Sequence, residues 1–111
     1  MKIKESIIES INTKRRILNN PGLIEVIGDV ATACAEAFCN GNKVLFCGNG
    51  GSAADAQHLA AEFSGRFYID RKPLPSEALH VNTSYLTAVA NDYSFDEVYS
   101  RILQGIGKIL E

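Results

Sequence analysis

No long run of hydrophobic residues occurs anywhere in the 111 residues. A bilayer-spanning helix needs about 20 such residues in a row, so none is predicted. The N-terminus, Met1-Lys2-Ile3-Lys4-Glu5, interleaves charge with apolar steps and lacks the continuous apolar core of a signal peptide. A cytoplasmic location is the default expectation, with no membrane partner. Positive charge is not in excess either: 11 Lys and Arg stand against 13 Asp and Glu, a net charge of −2. Nucleic-acid binders normally carry a basic surplus, so no nucleic acid is expected as a partner. The one basic cluster, Lys14-Arg15-Arg16, reads as a solvated helix face. Cysteine is scarce and odd in number: Cys34, Cys39 and Cys47 form no C-x-x-C pair, which fits a reducing compartment. Each has apolar neighbours and reads as a small buried hydrophobe. Internal repeats and low-complexity tracts are absent.

The residues that are present describe a small globular domain, 46% hydrophobic and 22% charged. Ile3, Ile7, Ile8, Ile11 and Leu18 recur at helical spacing and predict a helix over 3–18. Asn19-Asn20-Pro21-Gly22 breaks it. Ile24, Ile27, Val30, Ala31, Cys34, Ala37 and Phe38 predict a second helix over 23–38, stopped by Asn40-Gly41-Asn42. Lys43-Val44-Leu45-Phe46-Cys47 reads as a buried strand. A glycine-rich turn, 48–52, opens an alanine-rich helix over 52–63. Residues 65–75 read as loop, since Pro73 and Pro75 bar a regular ladder there. A second strand is predicted over 77–81 and a short helix over 84–90. Asn91-Asp92-Tyr93 is read as a break, and a last helix starts near Phe95.

Strand, helix, strand with a glycine-rich turn after the first strand predicts a parallel α/β unit. Two strands are too few to bury both faces of a parallel sheet. The sheet is therefore expected to be incomplete, its missing surface supplied by a partner chain or by sequence not present here. The open strand edges predict association.

Two groups of residues carry candidate chemistry. Gly48-Asn49-Gly50-Gly51-Ser52 stands between a strand and a helix, where backbone N–H groups and the helix N-terminus can hold an anion. Ser52 can cap that helix while still offering its hydroxyl. The spacing is not G-x-G-x-x-G, and no Lys-Ser/Thr follows. A dinucleotide fingerprint and a triphosphate P-loop are thus both excluded, and the turn is either a ligand loop or a structural turn. On the following helix His58 and Glu62 stand at i and i+4 on one face, with Asp55 a turn earlier. Such a pair can chelate a metal, can divide proton transfer between its members, or can be no more than a solvated helix face. His80, near the end of the second predicted strand, reads as structural.

The stretch from Cys47 to Phe67, with Gly48-Asn49-Gly50-Gly51-Ser52, His58, Glu62 and Gly65-Arg66, resembles the signature of the phosphoheptose isomerases, members of the SIS (sugar isomerase) family. Thr87-Ala88-Val89-Ala90-Asn91-Asp92-Tyr93 and Phe95-Asp96-Glu97-Val98-Tyr99-Ser100-Arg101 continue the likeness, which runs to about Lys108. The resemblance implies an α/β, SIS-type (flavodoxin-like) parallel sheet flanked by helices. It divides the chain into an N-terminal helical pair over 1–40, used in oligomer packing, and the first part of a SIS domain over 41–111. It implies isomerisation of sedoheptulose 7-phosphate to D-glycero-D-manno-heptose 7-phosphate through an enediol, on the way to ADP-heptose and lipopolysaccharide. A homotetramer with zinc is implied too. By position, Asn49, Gly50, Gly51 and Ser52 would contact substrate, and Asn91 and Asp92 would close the pocket. Arg66 would steady the site. His58 and Glu62 would hold zinc, and Glu62 would also be the catalytic base.

The likeness covers only the family's first half. The second half carries a phosphate-holding loop and the Gln and His that complete the zinc site, so the ligand set is incomplete and the chain alone is expected to be inactive. The ending Ile109-Leu110-Glu111 departs from the family pattern, and Leu110-Glu111 could be a cloning scar. The competing function is a non-catalytic SIS sugar-phosphate-binding regulator, such as a DnaA initiator-associating protein. A carboxylate at position 62 discriminates in favour of catalysis.

Overall fold

A computed structural model describes residues 1–107 of the chain; the limit of the resemblance at Lys108 and the 109–111 ending lie outside them. Two long helices come first, α1 over Lys2–Leu18 and α2 over Pro21–Cys39. The second begins two residues before the expected start. Asn20 is the cause: its side-chain oxygen accepts a hydrogen bond from the Leu23 N–H at 3.1 Å, and Pro21 takes the first helical position. A proline there loses nothing, because that N–H has no helical acceptor anyway. Neither helix buries a residue, and Ile3, Ile7, Ile8, Ile24, Ile27 and Val30 all remain exposed.

Strand β1, Val44–Phe46, follows. Helix α3, Gly51–Ser64, crosses back to strand β2, Ser76–Ala78. The strands pair in parallel with Val44 opposite Ser76, Leu45 opposite Glu77 and Phe46 opposite Ala78. The Val44 N–H donates to Pro75 O at 3.1 Å and the Leu79 N–H to Phe46 O at 2.8 Å, which extends the ladder at both ends. The Ser76 hydroxyl adds a bond to Val44 O at 2.8 Å. Strand β2 lies earlier than the predicted 77–81, because Leu79 and His80 already turn away. Strand β1 is only half-buried rather than buried, as expected of a sheet with two strands among the described residues.

Helix α4, Thr83–Asp92, is capped by Asn82, whose side chain accepts from the Tyr85 N–H at 3.0 Å. It takes in Asn91 and Asp92, so these two end a helix and do not form the predicted break; the break falls at Tyr93 and Ser94. A short 3-10 turn over Phe95–Glu97 leads into helix α5, Val98–Ile106. The Arg101 guanidinium lies 4.1 Å from the Tyr93 ring centroid and ties α5 to the end of α4.

The core is small: Ala56 and Ala60 of α3, Ala78 and Leu79 at β2, and Val98 and Ile102 of α5. Small alanines on α3 let the helix lie close against the strands. Phe63 joins the layers, its ring 5.1 Å from Phe38 of α2 and 6.1 Å from Phe46 of β1. The cysteines are free thiols, but Cys34 is only half-buried and Cys39 and Cys47 are exposed. The expectation that they fill a core is not met among the described residues: α2, which carries Cys34 and Cys39, buries none of its residues, and Cys47 lies just past the end of β1.

Candidate active site

The glycine-rich turn is built by two constraints. Gly50 has φ 57° and ψ −122°, and the Ser52 N–H donates to Asn49 O at 3.0 Å. Together they make a type II′ turn with glycine at its first central position, where any side chain is strained. Gly48 is required for a different reason: a Cβ there would stand 2.6 Å from Ser52 O. The strand end and the first helical turn are therefore as close as backbone allows. Among the described residues the N–H groups of Gly50 and Gly51 make no hydrogen bond, so they point an unfilled donor pair from the α3 N-terminus. Ser52 does not cap α3 as expected. It lies one residue inside the helix, and Gly50 occupies the cap position with no side-chain bond. Its hydroxyl is left exposed and available.

His58 and Glu62 are brought together: His58 Nε2 lies 3.0 Å from Glu62 Oε1. The imidazole is 76% exposed and the carboxylate 30%, so Glu62 is the sheltered member. The 1.5 Å rise of a helix separates Glu62 from Gly51 by about 16 Å along α3. Side chains lean toward the helix N-terminus, which narrows that gap. The loop and the pair thus form one face that suits an extended ligand. Asn91 and Asp92 are linked to each other, Asn91 Nδ2 donating to Asp92 Oδ1 at 3.2 Å. Arg66 is exposed in the segment after α3. Among the described residues no hydrogen bond joins Arg66, Asn91 or Asp92 to the loop or to the His58–Glu62 pair.

Three further residues shape the site: Arg71, which no motif marks, His80, read above as structural, and Tyr99, which entered only as part of the likeness. The Arg71 guanidinium donates to the Glu62 carbonyl at 2.9 Å and the Phe63 carbonyl at 2.8 Å, closing the end of α3 with a cation where the helix dipole favours one. His80 Nε2 pairs with Gln57 Oε1 at 3.0 Å, tying the turn after β2 to α3, while its Nδ1 is buried without a partner. That agrees with a structural role. The Tyr99 hydroxyl of α5 reaches Gly48 O at 2.5 Å and Asn49 Oδ1 at 2.9 Å. The His80 contact spans 23 residues and the Tyr99 contacts 50 and 51, for which composition and periodicity give no signal.

As metal donors, an imidazole nitrogen and a carboxylate oxygen side by side fit zinc in type and spacing. Among the described residues, no three His, Cys, Asp or Glu groups stand close enough to hold an ion. The pair alone falls short of the three protein ligands a catalytic zinc takes. A concavity of about 340 Å³ lies at the end of the sheet away from the glycine turn, lined by Lys43, Ser64, Leu74, Pro75 and Glu77 among others.

A phosphoheptose isomerase of Aneurinibacillus thermoaerophilus is 54% identical over 105 residues, 95% of this chain and 53% of that protein. One from Mycobacterium bovis is 50% identical over 102 residues, 92% of this chain and 52% of its own length. Among solved structures, a phosphoheptose isomerase from Neisseria gonorrhoeae superposes with a TM-score of 0.85 at 39% identity, and one from Francisella tularensis with 0.87 at 34%. Each match covers 96% of this chain, but 54% and 55% of those structures. The chain spans about half the length of the curated relatives it matches. The sequence pattern of the SIS domain matches residues 7–108, and with the parallel β1–α3–β2 unit and its glycine turn the chain belongs to the SIS domain family.

Proposed function

We propose that this chain is part of a phosphoheptose isomerase that converts sedoheptulose 7-phosphate to D-glycero-D-manno-heptose 7-phosphate. The observation that carries the reading is the His58–Glu62 contact at 3.0 Å on the helix opened by the glycine turn. An aldose–ketose isomerisation needs a base that reaches both carbons. Glu62 takes the proton from C1 of the ketose and returns it to C2, while a hydroxyl proton passes from O1 to O2 through the enediol. The free Gly50 and Gly51 N–H groups, Asn49 and the Ser52 hydroxyl bind sugar oxygens. Asn91 and Asp92 border the pocket and Arg66 adds a positive charge to it. His58 and Glu62 would hold zinc together with donors from outside the described residues. Bound zinc would supply Lewis-acid polarisation of the sugar carbonyl.

The same reading makes the protein a cytoplasmic homotetramer that supplies ADP-heptose for lipopolysaccharide, with α1 and α2 as packing surface. In support, among the described residues no helix is long and apolar enough to cross a membrane, and the two helices bury none of their apolar residues. The alternative of a sugar-phosphate-binding regulator needs no base, and the sheltered carboxylate of Glu62 beside His58 argues against it.

Sedoheptulose 7-phosphate in heavy water tests the reading. The 111 residues completed by the second half of a relative are expected to form the aldose with solvent deuterium at C2. The 111-residue chain alone is expected to be inactive, since it offers two zinc donors. Binding without exchange by the completed protein would instead favour the regulator.

A further inference from the structure

The Tyr99 hydroxyl touches two acceptors, Gly48 O at 2.5 Å and Asn49 Oδ1 at 2.9 Å, yet a phenol carries a single proton. The shorter contact is to the carbonyl, which has no other use for its lone pairs than an N–H or O–H donor. The Asn49 side chain can meet the phenol oxygen in the other sense. With its amide turned so that Nδ2 donates to Tyr99, both contacts are satisfied in one chain: Asn49 Nδ2–H to Tyr99 O, and Tyr99 O–H to Gly48 O. The turned amide leaves Asn49 Oδ1 free on the open side of the turn.

We infer that Tyr99 is a positioning residue for the glycine-rich turn, holding the Asn49 side chain so that its carbonyl oxygen accepts a hydroxyl of the bound sugar phosphate. The inference rests on the reading of the turn as a sugar-phosphate site. Three observations on the page converge on it. Gly48 admits no side chain because Ser52 stands against its Cα, so the backbone whose carbonyl Tyr99 grips is held close to the first turn of α3. Gly50 fixes the turn but leaves the Asn49 side chain unconstrained. Tyr99 sits next to Val98, the most deeply buried residue of the described chain, so its ring projects from a rigid point. Helix α5, remote in sequence, thereby sets the hydrogen-bonding sense of a residue at the start of α3.

The test is Tyr99→Phe, which removes only the oxygen, compared with Asn49→Ala and with the double variant. Backbone amide exchange at Ser52 and Ala53, whose N–H groups donate to Asn49 O and Gly50 O across the turn, is followed in the 111-residue chain, with amides in the middle of α3 as internal control. Faster exchange at Ser52 and Ala53 alone is expected, by about threefold to tenfold, the range one neutral hydrogen bond covers. Affinity for sedoheptulose 7-phosphate is then titrated in the protein completed by the second half of a relative. Tyr99→Phe is expected to weaken it by a similar factor in the parent and not at all in the Asn49→Ala background. Equal weakening in both backgrounds would mean that Tyr99 does not act through Asn49 and would overturn the inference. Unchanged exchange at Ser52 and Ala53 would overturn it whether or not the sugar phosphate binds. A parent chain that shows the exchange effect, but whose completed form binds no sugar phosphate, keeps the positioning of the turn and removes the ligand assigned to it together with the functional reading.

Discussion

Replacing Glu62 by glutamine keeps the length and shape of the side chain and removes its capacity to take a proton. If Glu62 is the base, the completed enzyme loses about 10²- to 10⁴-fold in the rate of deuterium exchange, with the sugar still bound. The glycines act at the same scale through sterics. Ala at position 48 would put its Cβ 2.6 Å from Ser52 O, a contact with backbone that cannot rotate away. Gly48→Ala is expected to cost on the order of 1–3 kcal/mol. Thermal unfolding would register that as a loss of about 4–8 °C per kcal/mol in a domain of this size. Gly51→Ala meets nothing within 4 Å and should be nearly silent, which makes it the control.

Among the elements, α3 carries the candidate face and is held at both ends by groups outside it. At its C-terminus Arg71 is half-buried and bonds the carbonyls of Glu62 and Phe63. Arg71→Met keeps the stem and deletes the cation. A loss of about 2 kcal/mol is expected, from hydrogen bonds with a charged donor, with faster amide exchange in the last turn of α3. That is the turn that holds Glu62, so activity should fall with it. Helix α2 gives an independent check. Asn20→Ala removes the cap on Leu23 N and should cost about 1 kcal/mol, read as a shift in denaturant midpoint with the slope unchanged.

The whole molecule exposes more surface than its mass warrants. A compact monomer of 12.1 kDa has an accessible area of about 6000 Å², whereas the chain exposes 8744 Å². Its radius of gyration is 17.5 Å against about 13 Å for a compact chain of this length. The difference lies largely in the α1–α2 pair, which packs little against the sheet and leaves ten large aliphatic side chains from Ile3 to Val30 exposed. That amount of apolar surface is expected to be covered in solution. Sedimentation of the 111-residue chain should show self-association at micromolar concentration, and Ile7→Ser with Ile24→Ser should shift it toward monomer. A chain that sediments as a monomer at every concentration would count against the packing role of residues 1–40.

What the sequence determined by itself were the local periods and punctuations. Apolar spacing placed α1, α2 and α3, the β-forming run placed β1, and the glycine turn with His58 and Glu62 four residues apart could be read directly, because helix geometry alone makes such a pair meet. Reading failed where a short-range signal met a competing one. Asn91-Asp92 looked like a terminator yet ends inside α4, and Ser52 looked like a cap although the II′ turn had already assigned that position to Gly50. Only the tertiary structure decided that Arg71 closes α3, that Tyr99 grips Gly48 and Asn49, and that the cysteines are not buried. These depend on which residues far apart in the chain become neighbours, and that is settled by packing of whole elements, about which local pattern carries no information.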